Sequence, residues 1–413
     1  MKHHKLAVSP ATVHWGYFSK KVAPALTLRS GDRATIETLT HHAGDDYERM
    51  VAGDAGAESV FRWTREHKAV ARRGAGPTQG PFERGAGEGL GVHLLTGPVA
   101  IEGAEPGDIL EVRILDIHPR PSCHACHAGR CFGSNAAASW GFHYHDLIEE
   151  PKPREVITIF ELDTSGEPTA RAVYNYIWTP QTDPDGILHK TIDYPGVPVD
   201  HRLVKRRENI LPNIKVPARL HFGTMGLAPA EADFVSSIPP SYTGGNIDDW
   251  RIGKGARMYY PVAVPGAYFS VGDPHAAQGD SELGGTAIET SLTGEFEFIL
   301  HKERDLGGTV LQGLTHPMLE TAEQWSVYGF TFPNYLSALG DNAQVEVAQH
   351  ASLDKAMRDA FRKLRRFLMT VHHLSEDEAI ALMSVAADFG VTQVVDANWG
   401  VHGSIRKSVF TNS

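Results

Sequence analysis

One stretch of this chain gathers acidic groups away from any basic partner. Between Met258 and His301 there is no Lys and no Arg, yet there are six carboxylates: Asp273, Asp280, Glu282, Glu289, Glu295 and Glu297. Glu295 and Glu297 alternate with Phe296 and Phe298, the pattern of a strand with one wet face. The other four lie in or just after Gly272-Asp-Pro-His-Ala-Ala-Gln-Gly-Asp-Ser-Glu282, with His275 among them. In extended backbone Asp273 and His275 share one side, as do Asp280 and Glu282. Pro274 cannot donate to a ladder, so the strand is expected to end there. Carboxylates gathered without a base repel one another, and a divalent cation offsets that repulsion. A His among carboxylates suits Zn²⁺, Mn²⁺ or Fe²⁺. The bland alternative is a polar surface loop, and no HExxH helix accompanies the cluster.

Other loops carry weaker signals. In Tyr242-Thr-Gly-Gly-Asn-Ile-Asp-Asp-Trp250 the glycine pair lets Asn246 and Asp248 converge, although a hairpin with an Asx hydrogen bond is the commoner use. Cys123-His-Ala-Cys-His127 matches the covalent haem pattern. No apolar run of about 7–15 residues follows Met1-Lys-His-His-Lys5, so neither export nor haem is expected. A structural zinc site would want a second pair, and Cys131 and His118 are irregularly placed, so the segment reads as a surface loop with free thiols. His41-His42 with Asp45-Asp46, and His143 and His145 with Asp146, read as polar loops or satisfied histidines. His221, before Phe222-Gly223, stays open. The glycines of residues 71–91 lack the strand-to-helix frame of a phosphate cradle and read as backbone permissiveness.

Composition sets the frame for these groups. The 413 residues are 41% hydrophobic and 22% charged, a globular balance for two or three domains or one large composite core. A formal charge of −11 argues against nucleic-acid or anionic-membrane partners. Tyr259 to Gly272 is broken by Pro261 and Pro265 and is too short to span a bilayer. Three cysteines make no disulfide framework, so a reducing cytoplasm is expected. Forty-one Gly and 25 Pro imply many turns and a β-rich architecture.

The elements follow from periodicity. Gly31-Asp32 and Pro106-Gly107-Asp108 each lead into a strand, the second with Leu110, Val112 and Ile114 inward. Strands are also expected at Val156–Phe160, Glu295–Leu300 and Thr392–Val395. A helix capped by Ser352 carries an apolar stripe to Val371, with basic residues 362, 363, 365 and 366 on its solvated side. Ser375 and Glu378 make a capping box for a second helix that Gly390 stops. Residues 149–154 read as a linker between an N-terminal β-rich lobe, 1–150, and a C-terminal lobe, 151–413. The latter holds the site region 240–300 and the helix pair 352–390.

Taken together, several stretches resemble the acetamidase/formamidase family over nearly the whole chain. They are His93-Leu-Leu-Thr-Gly-Pro98, Glu102-Gly-Ala-Glu-Pro-Gly-Asp108, Gly244-Gly-Asn-Ile-Asp248, the 272–282 run and Gly285-Thr-Ala-Ile-Glu289. Thr40-His-His-Ala-Gly-Asp-Asp46 and Ser134-Asn-Ala-Ala-Ala138 match as well. The length resembles the long formamidase form. The resemblance implies a mainly β fold with α/β elements, a sandwich-like composite core and a C-terminal helix pair. It implies a cytoplasmic homo-oligomer, trimer or hexamer, that hydrolyses a short aliphatic amide to a carboxylate and ammonia.

Carried onto this chain, the site draws on His93, Asn246, Asp248, Asp273, His275, Gln278, Asp280, Glu282 and Glu289. Family members commonly have Cys at the place of Gly284 and Gly at Ser281, so a thiol nucleophile at 284 is excluded. The reading is a metal-assisted formamidase, with Zn²⁺ held among Asp248, Asp273, His275 and His93 to activate water. Glu282, with Asp280 beside it, handles the proton, while Asn246, Gln278 and Glu289 bind the amide. Tyr242 and Trp250 are candidate walls that favour formamide over acetamide. The rivals are a covalent serine amidase, with Ser281 as a weak nucleophile, and a non-catalytic small-amide binding protein.

Overall fold

The computed structural model describes residues 2–66, 91–152, 154–192 and 196–411. Of the 71–91 glycine run, only Gly91 lies within the described residues. Two large sheets face each other. The nine-stranded sheet runs, edge to edge, through His3–Leu6, Arg33–Glu37, Leu292–His301, Ile109–Pro119, Arg257–Pro261, Met318–Glu320, Gln324–Phe330, Gly400–Arg406 and Ala387–Gln393. The second sheet has Phe269–Ala277 at its heart, flanked by His221–Gly226, Leu94–Ile101 and Ile288–Glu289, and continues outward through Cys131–Ala137, Val156–Asp163 and Thr169–Ile177. Each sheet takes strands from both sides of residue 150, so neither follows the division into 1–150 and 151–413.

The side-chain period of two builds the layers. Leu110, Val112 and Ile114 pack with Phe296 and Phe298 against Phe222, Met225, Phe269 and Val271 of the opposite sheet. The other face of the nine-stranded sheet offers Ile109, Tyr259, Trp325 and Val327 to Leu364, Phe367, Leu368 and Met383. The latter residues belong to the helices Leu353–Val371 and Glu376–Ala386. The fold is therefore a β-sandwich with a helix pair laid over one face. Among the described residues no helix is long and apolar enough to cross a membrane.

Local signals held well at caps and turns. Ser352 accepts from Lys355 N, and Ser375 and Glu378 form the expected reciprocal box. Gly107 takes φ +97°, and Asp108 N donates to Glu105 O at 3.1 Å, closing the Pro106-Gly107 turn. Three expectations fail for tertiary reasons. Pro274 does not end its strand, because it sits opposite Phe222, whose N–H goes to Ile252 O instead, and Pro274's carbonyl accepts from Thr290 N. Gly390 does not stop the second helix. That helix ends at Ala386, and Gly390 lies inside Ala387–Gln393, where a Cβ would stand 2.4 Å from His402 Nε2. Lys363 is not on the solvated side, since its ammonium pairs with Asp359 at 2.6 Å and donates to Tyr328 O at 2.7 Å.

Candidate functional site

The strand Phe269–Ala277 is buried along its whole length and carries Asp273 and His275 to one point. Their side chains meet as expected, with His275 Nε2 3.3 Å from Asp273 Oδ2. On the neighbouring strand His221–Gly226, Gly223 leaves the space that makes this possible. A Cβ there would lie 2.4 Å from Asp248 Oδ1, 2.5 Å from Asp273 Oδ2 and 2.6 Å from His275 Cε1. Asp248 follows the short strand Gly244–Asn246 and takes φ +53°, its N–H donating to Gly223 O. Ile288–Glu289 pairs with the same central strand and sets Glu289 Oε1 3.1 Å from His275 Nε2.

The remaining groups arrive from loops. Ser281 and Glu282 both adopt positive φ, +82° and +48°, and the turn is stitched to the strand Ala387–Gln393. Ser281 N donates to Val391 O and Thr392 O, and Val394 N donates back to Ser281 O. That stitch holds Glu282 close to Asp396, just beyond the same strand. His93 precedes Leu94–Ile101 and is oriented by Ser237, 2.8 Å from its Nδ1, which leaves Nε2 3.7 Å from Asp273. His41 and His42 come from the 3₁₀ turn His41–Asp46, with His41 Nδ1 3.9 Å from Asp273 Oδ1. His42 is tied to Asp45 at 2.8 Å, and Asp45 accepts from Ser134 Oγ at 2.6 Å.

These groups surround a cavity of about 230 Å³. His41, His42, His93, Asn246, Asp273, Glu282, Glu289 and Asp396 form its polar part, and Val92, Trp140, Ile192, Ile238 and Val395 its apolar part. Asn246 Oδ1 accepts from Thr224 Oγ1 at 2.5 Å, so its NH₂ is the end left for a visiting carbonyl.

Electrostatics sort the acids. Burial, with Glu282 and Asp396 nearby, pushes Asp248 well above the usual carboxylate range. Glu282 is raised well above it by burial too, against the opposing pull of His275. Burial also lifts Asp396 to about 7, with Asp273 and Glu289 adding to the rise and a hydrogen bond with Asp248 opposing it. Burial would raise Asp273, but His275 and His93 hold it well below its ordinary value. Burial would lower His275, yet Glu289 and Asp273 raise it well above. His41 is pushed well down by burial and by the rings of His42 and His93.

Four overlapping triads place ligand atoms within 4.8 Å of one another: His41–His93–Asp273, Asp248–Asp273–His275, His275–Glu282–Glu289 and Asp248–Glu282–Asp396. Neither oxygen of Asp248 meets an N–H or hydroxyl donor, and its neighbour is the carboxyl of Asp396. Two carboxyls share a hydrogen bond only when one keeps a proton, and a cation resolves the same crowding without one. The residues present therefore fit a divalent ion.

Seven of the nine residues singled out from the sequence converge here: His93, Asn246, Asp248, Asp273, His275, Glu282 and Glu289. Asp280 does not. It is exposed, paired with Arg251 at 3.1 Å and hydrogen-bonded to Trp250 Nε1, because the left-handed turn at 281–282 breaks the extended geometry that would have aligned it with Glu282. Gln278 is buried behind the cluster and not on the cavity wall. Its amide donates to Asp248 O at 2.6 Å, and its Oε1 lies 3.1 Å from His275 Nδ1. His221 backs the same ring. Its Nδ1–H donates to Arg219 O, its Nε2 lies 3.0 Å from Gln278 Oε1 and 3.1 Å from His275 Nδ1, and burial lowers its pKa to about 4. His275 thus donates through Nδ1 and presents Nε2 to the acids.

Tyr242 and Trp250 are not the cavity wall. Tyr242 bonds Glu231, and Trp250 is sandwiched between Arg219 and Arg251, 4.0 and 4.3 Å from its ring centroid. Ser281 does not line the cavity either. His145 and Asp146 are exposed, and His143 is half-buried and does not line the cavity. Sequence reasoning read His41 and His42 as a polar loop or satisfied histidines and did not single out Asp396. The first two stood in a family-like stretch, whereas nothing local marked Asp396.

The acetamidase/formamidase family model matches residues 90–233 and 231–411. An acetamidase of Mycolicibacterium smegmatis is 32% identical over 219 residues, 46% of this chain and 49% of that protein, so the matched stretch spans about half of that relative. A formamidase of Methylophilus methylotrophus is 24% identical over 333 residues, 74% of each chain. The fold is shared with the crystal structure of an acetamidase from Bacillus halodurans at TM-score 0.61 and 21% identity, covering 99% of this chain and 98% of that one. An acetamidase structure from Yersinia enterocolitica gives TM-score 0.63 at 21% identity, covering 99% and 93%. With its sandwich, its buried acid–histidine cluster and a match across both halves, this chain belongs to the acetamidase/formamidase family.

Proposed function

We propose that this protein is an amidohydrolase for a short linear amide, with formamide the preferred substrate, and that a divalent cation, Zn²⁺ first, sits in the buried cluster. The observation that carries the reading is the crowd of carboxylates and histidines with no Lys or Arg lining the cavity. Asp273, shared by two triads, would hold the ion with His93 and His41 on one side and Asp248 and His275 on the other. Such an ion supplies an activated water near neutral pH and a polarised carbonyl. The chain's own groups do the rest. The Asn246 NH₂ donates to the amide oxygen and fixes its orientation. Glu282, on the cavity wall, takes the proton from the attacking water and returns it to the leaving nitrogen, so ammonia departs neutral. Trp140, Ile192, Ile238 and Val395 cover the apolar side and exclude bulk water.

The test joins metal content to turnover. Dialysis against a chelator should abolish ammonia release from formamide, and Zn²⁺ or another divalent ion should restore it. Full activity in protein with no detectable metal would sink the metal reading. Glu282→Gln should lower kcat by about 10²–10⁴. Formamide kcat/KM should exceed that for acetamide by about tenfold or more, within the range a single methyl can command. Better hydrolysis of acetamide would overturn the preference and leave the amidohydrolase reading standing.

A further inference from the structure

The Cys123-His-Ala-Cys-His127 loop has no part in the site above, yet it is built with care. Ser122 N donates to Arg130 O at 2.7 Å and Gly129 N to Ser122 O at 3.1 Å, closing residues 122–130 on themselves. Inside the loop, His127 N donates to His124 O and Arg130 N to His127 O. Arg130 is anchored to both oxygens of Glu161. The closed loop lies against the segment that follows His41–Asp46. Arg120 pairs with Asp54 at 2.5 Å, and a Cβ on Gly53 would meet Cys123 O at 2.8 Å. The two segments are thus fixed against each other before any ligand is considered.

Across that seam three ligand groups meet. His127 Nε2 lies 2.9 Å from Glu48 Oε1, and Glu48, His124 and His127 each offer an atom within 4.8 Å of the others. Two ligands of a tetrahedral Zn²⁺, each at about 2.0 Å, stand roughly 3.3 Å apart, so the hydrogen-bonded Glu48–His127 pair would need to part by only about 0.4 Å to admit the ion. His127 is only 9% exposed and turns Nε2, the atom that would ligate, toward Glu48, while its other ring nitrogen, Nδ1, has no hydrogen-bond partner. Cys123 and Cys126 are exposed on the same loop but are not among the converging atoms.

We propose that Glu48, His124 and His127 form a second divalent-cation site, at the surface, with its fourth position open to water. Two imidazoles and a carboxylate suit Zn²⁺ among physiological ions. Glu48 sits in the helix Tyr47–Met50, which continues directly from the 3₁₀ turn bearing His41 and His42. An ion here clamps that turn to the 122–130 loop, a structural role separate from the reaction.

Equilibrium dialysis of the full chain against Zn²⁺ tests this, counting ions per chain. The His124→Ala/His127→Ala protein should hold one ion fewer than wild type, with formamide turnover within about a factor of ten. Glu48→Gln, an exposed change that leaves packing intact, should weaken the same ion by at least the roughly tenfold loss that removing even an outer partner brings. Cys123→Ser/Cys126→Ser should bind as wild type does. Equal Zn²⁺ counts in wild type and in both the histidine and Glu48 variants would overturn the proposal. So would loss of the ion from the cysteine variant while the histidine variant keeps it.

Discussion

Gly223 is the smallest residue in the cluster and the one with least room to change. Its missing side chain is the space in which Asp248, Asp273 and His275 approach one another. In Gly223→Ala the new methyl would meet carboxylate oxygens at 2.4 and 2.5 Å, and they would have to part. We expect formamide turnover to fall by at least about 10²-fold, the effect of misplacing reacting groups by an ångström. Circular dichroism and gel filtration should stay those of wild type; unchanged turnover would show that the three groups need not converge. The sequence showed Asp273 and His275 because alternation in one strand is a local property. It misled at Asp280, whose partner Arg251 lies 29 residues away and neutralises an acid that looked unopposed. Asp396 was invisible for the same reason: its neighbours Asp248 and Glu282 are distant in sequence, and only the stitch at Ser281 brings them together.

The helix Leu353–Val371 docks on its sheet through more than an apolar stripe. Asp359 accepts from Phe330 N at 3.0 Å and pairs with Lys363, which reaches Tyr328 O. One helical turn therefore satisfies polar groups of the strand Gln324–Phe330 beneath it. Lys363→Ala would strand the Asp359 carboxylate in a covered site. Urea unfolding should show a loss of about 3 kcal/mol, the lower end for breaking a buried pair, while Arg362→Ala nearby should cost well under 1 kcal/mol. Equal losses would mean that Lys363 acts as an ordinary surface cation. Periodicity had placed basic residues 362, 363, 365 and 366 of this helix on one wet face. A 3.6-residue repeat fixes angle around the axis, but not how far the neighbouring sheet reaches to meet it. Caps and boxes were legible because they are made within one turn of chain. Strand ends were less so, since Pro274 and Gly390 are tolerated or required by partners elsewhere in the sequence.

Over the whole molecule, the sandwich is tied by carboxylates held in the charged form. Glu111 is 2% exposed and meets Arg113 at 2.5 Å and His301 at 2.7 Å. Burial would raise its pKa, but the hydrogen bonds from His301 and Arg113 lower it below the ordinary value. A carboxylate lowered on folding stabilises the native state above its unfolded pKa and loses that contribution as pH falls through the folded one. Wild type should therefore lose more stability than Glu111→Gln between about pH 7 and about pH 3, measured by urea unfolding at each pH. Identical losses would refute the assignment. The mainly β class, the sandwich and the helix pair were legible as a whole from turns, alternation and family likeness. The interleaving of the two sheets was not, because strand order is set by long-range pairing that no local pattern encodes.

The stitch between Ser281 and the strand Ala387–Gln393 also bears on the order in which a cell could make this protein work. A ribosome delivers residues from the amino end, and domains generally fold as they emerge. Here His41 emerges long before Asp396, and the strand that places Asp396 is itself held by the still later Gly400–Arg406. A nascent chain can lay down much of the sandwich and still lack one wall of the cavity. Ribosome-bound chains stalled before residue 387 should therefore be protease-resistant in part yet inert toward formamide. Ammonia release should appear only once Ala387–Gln393 and Gly400–Arg406 are both free of the exit tunnel.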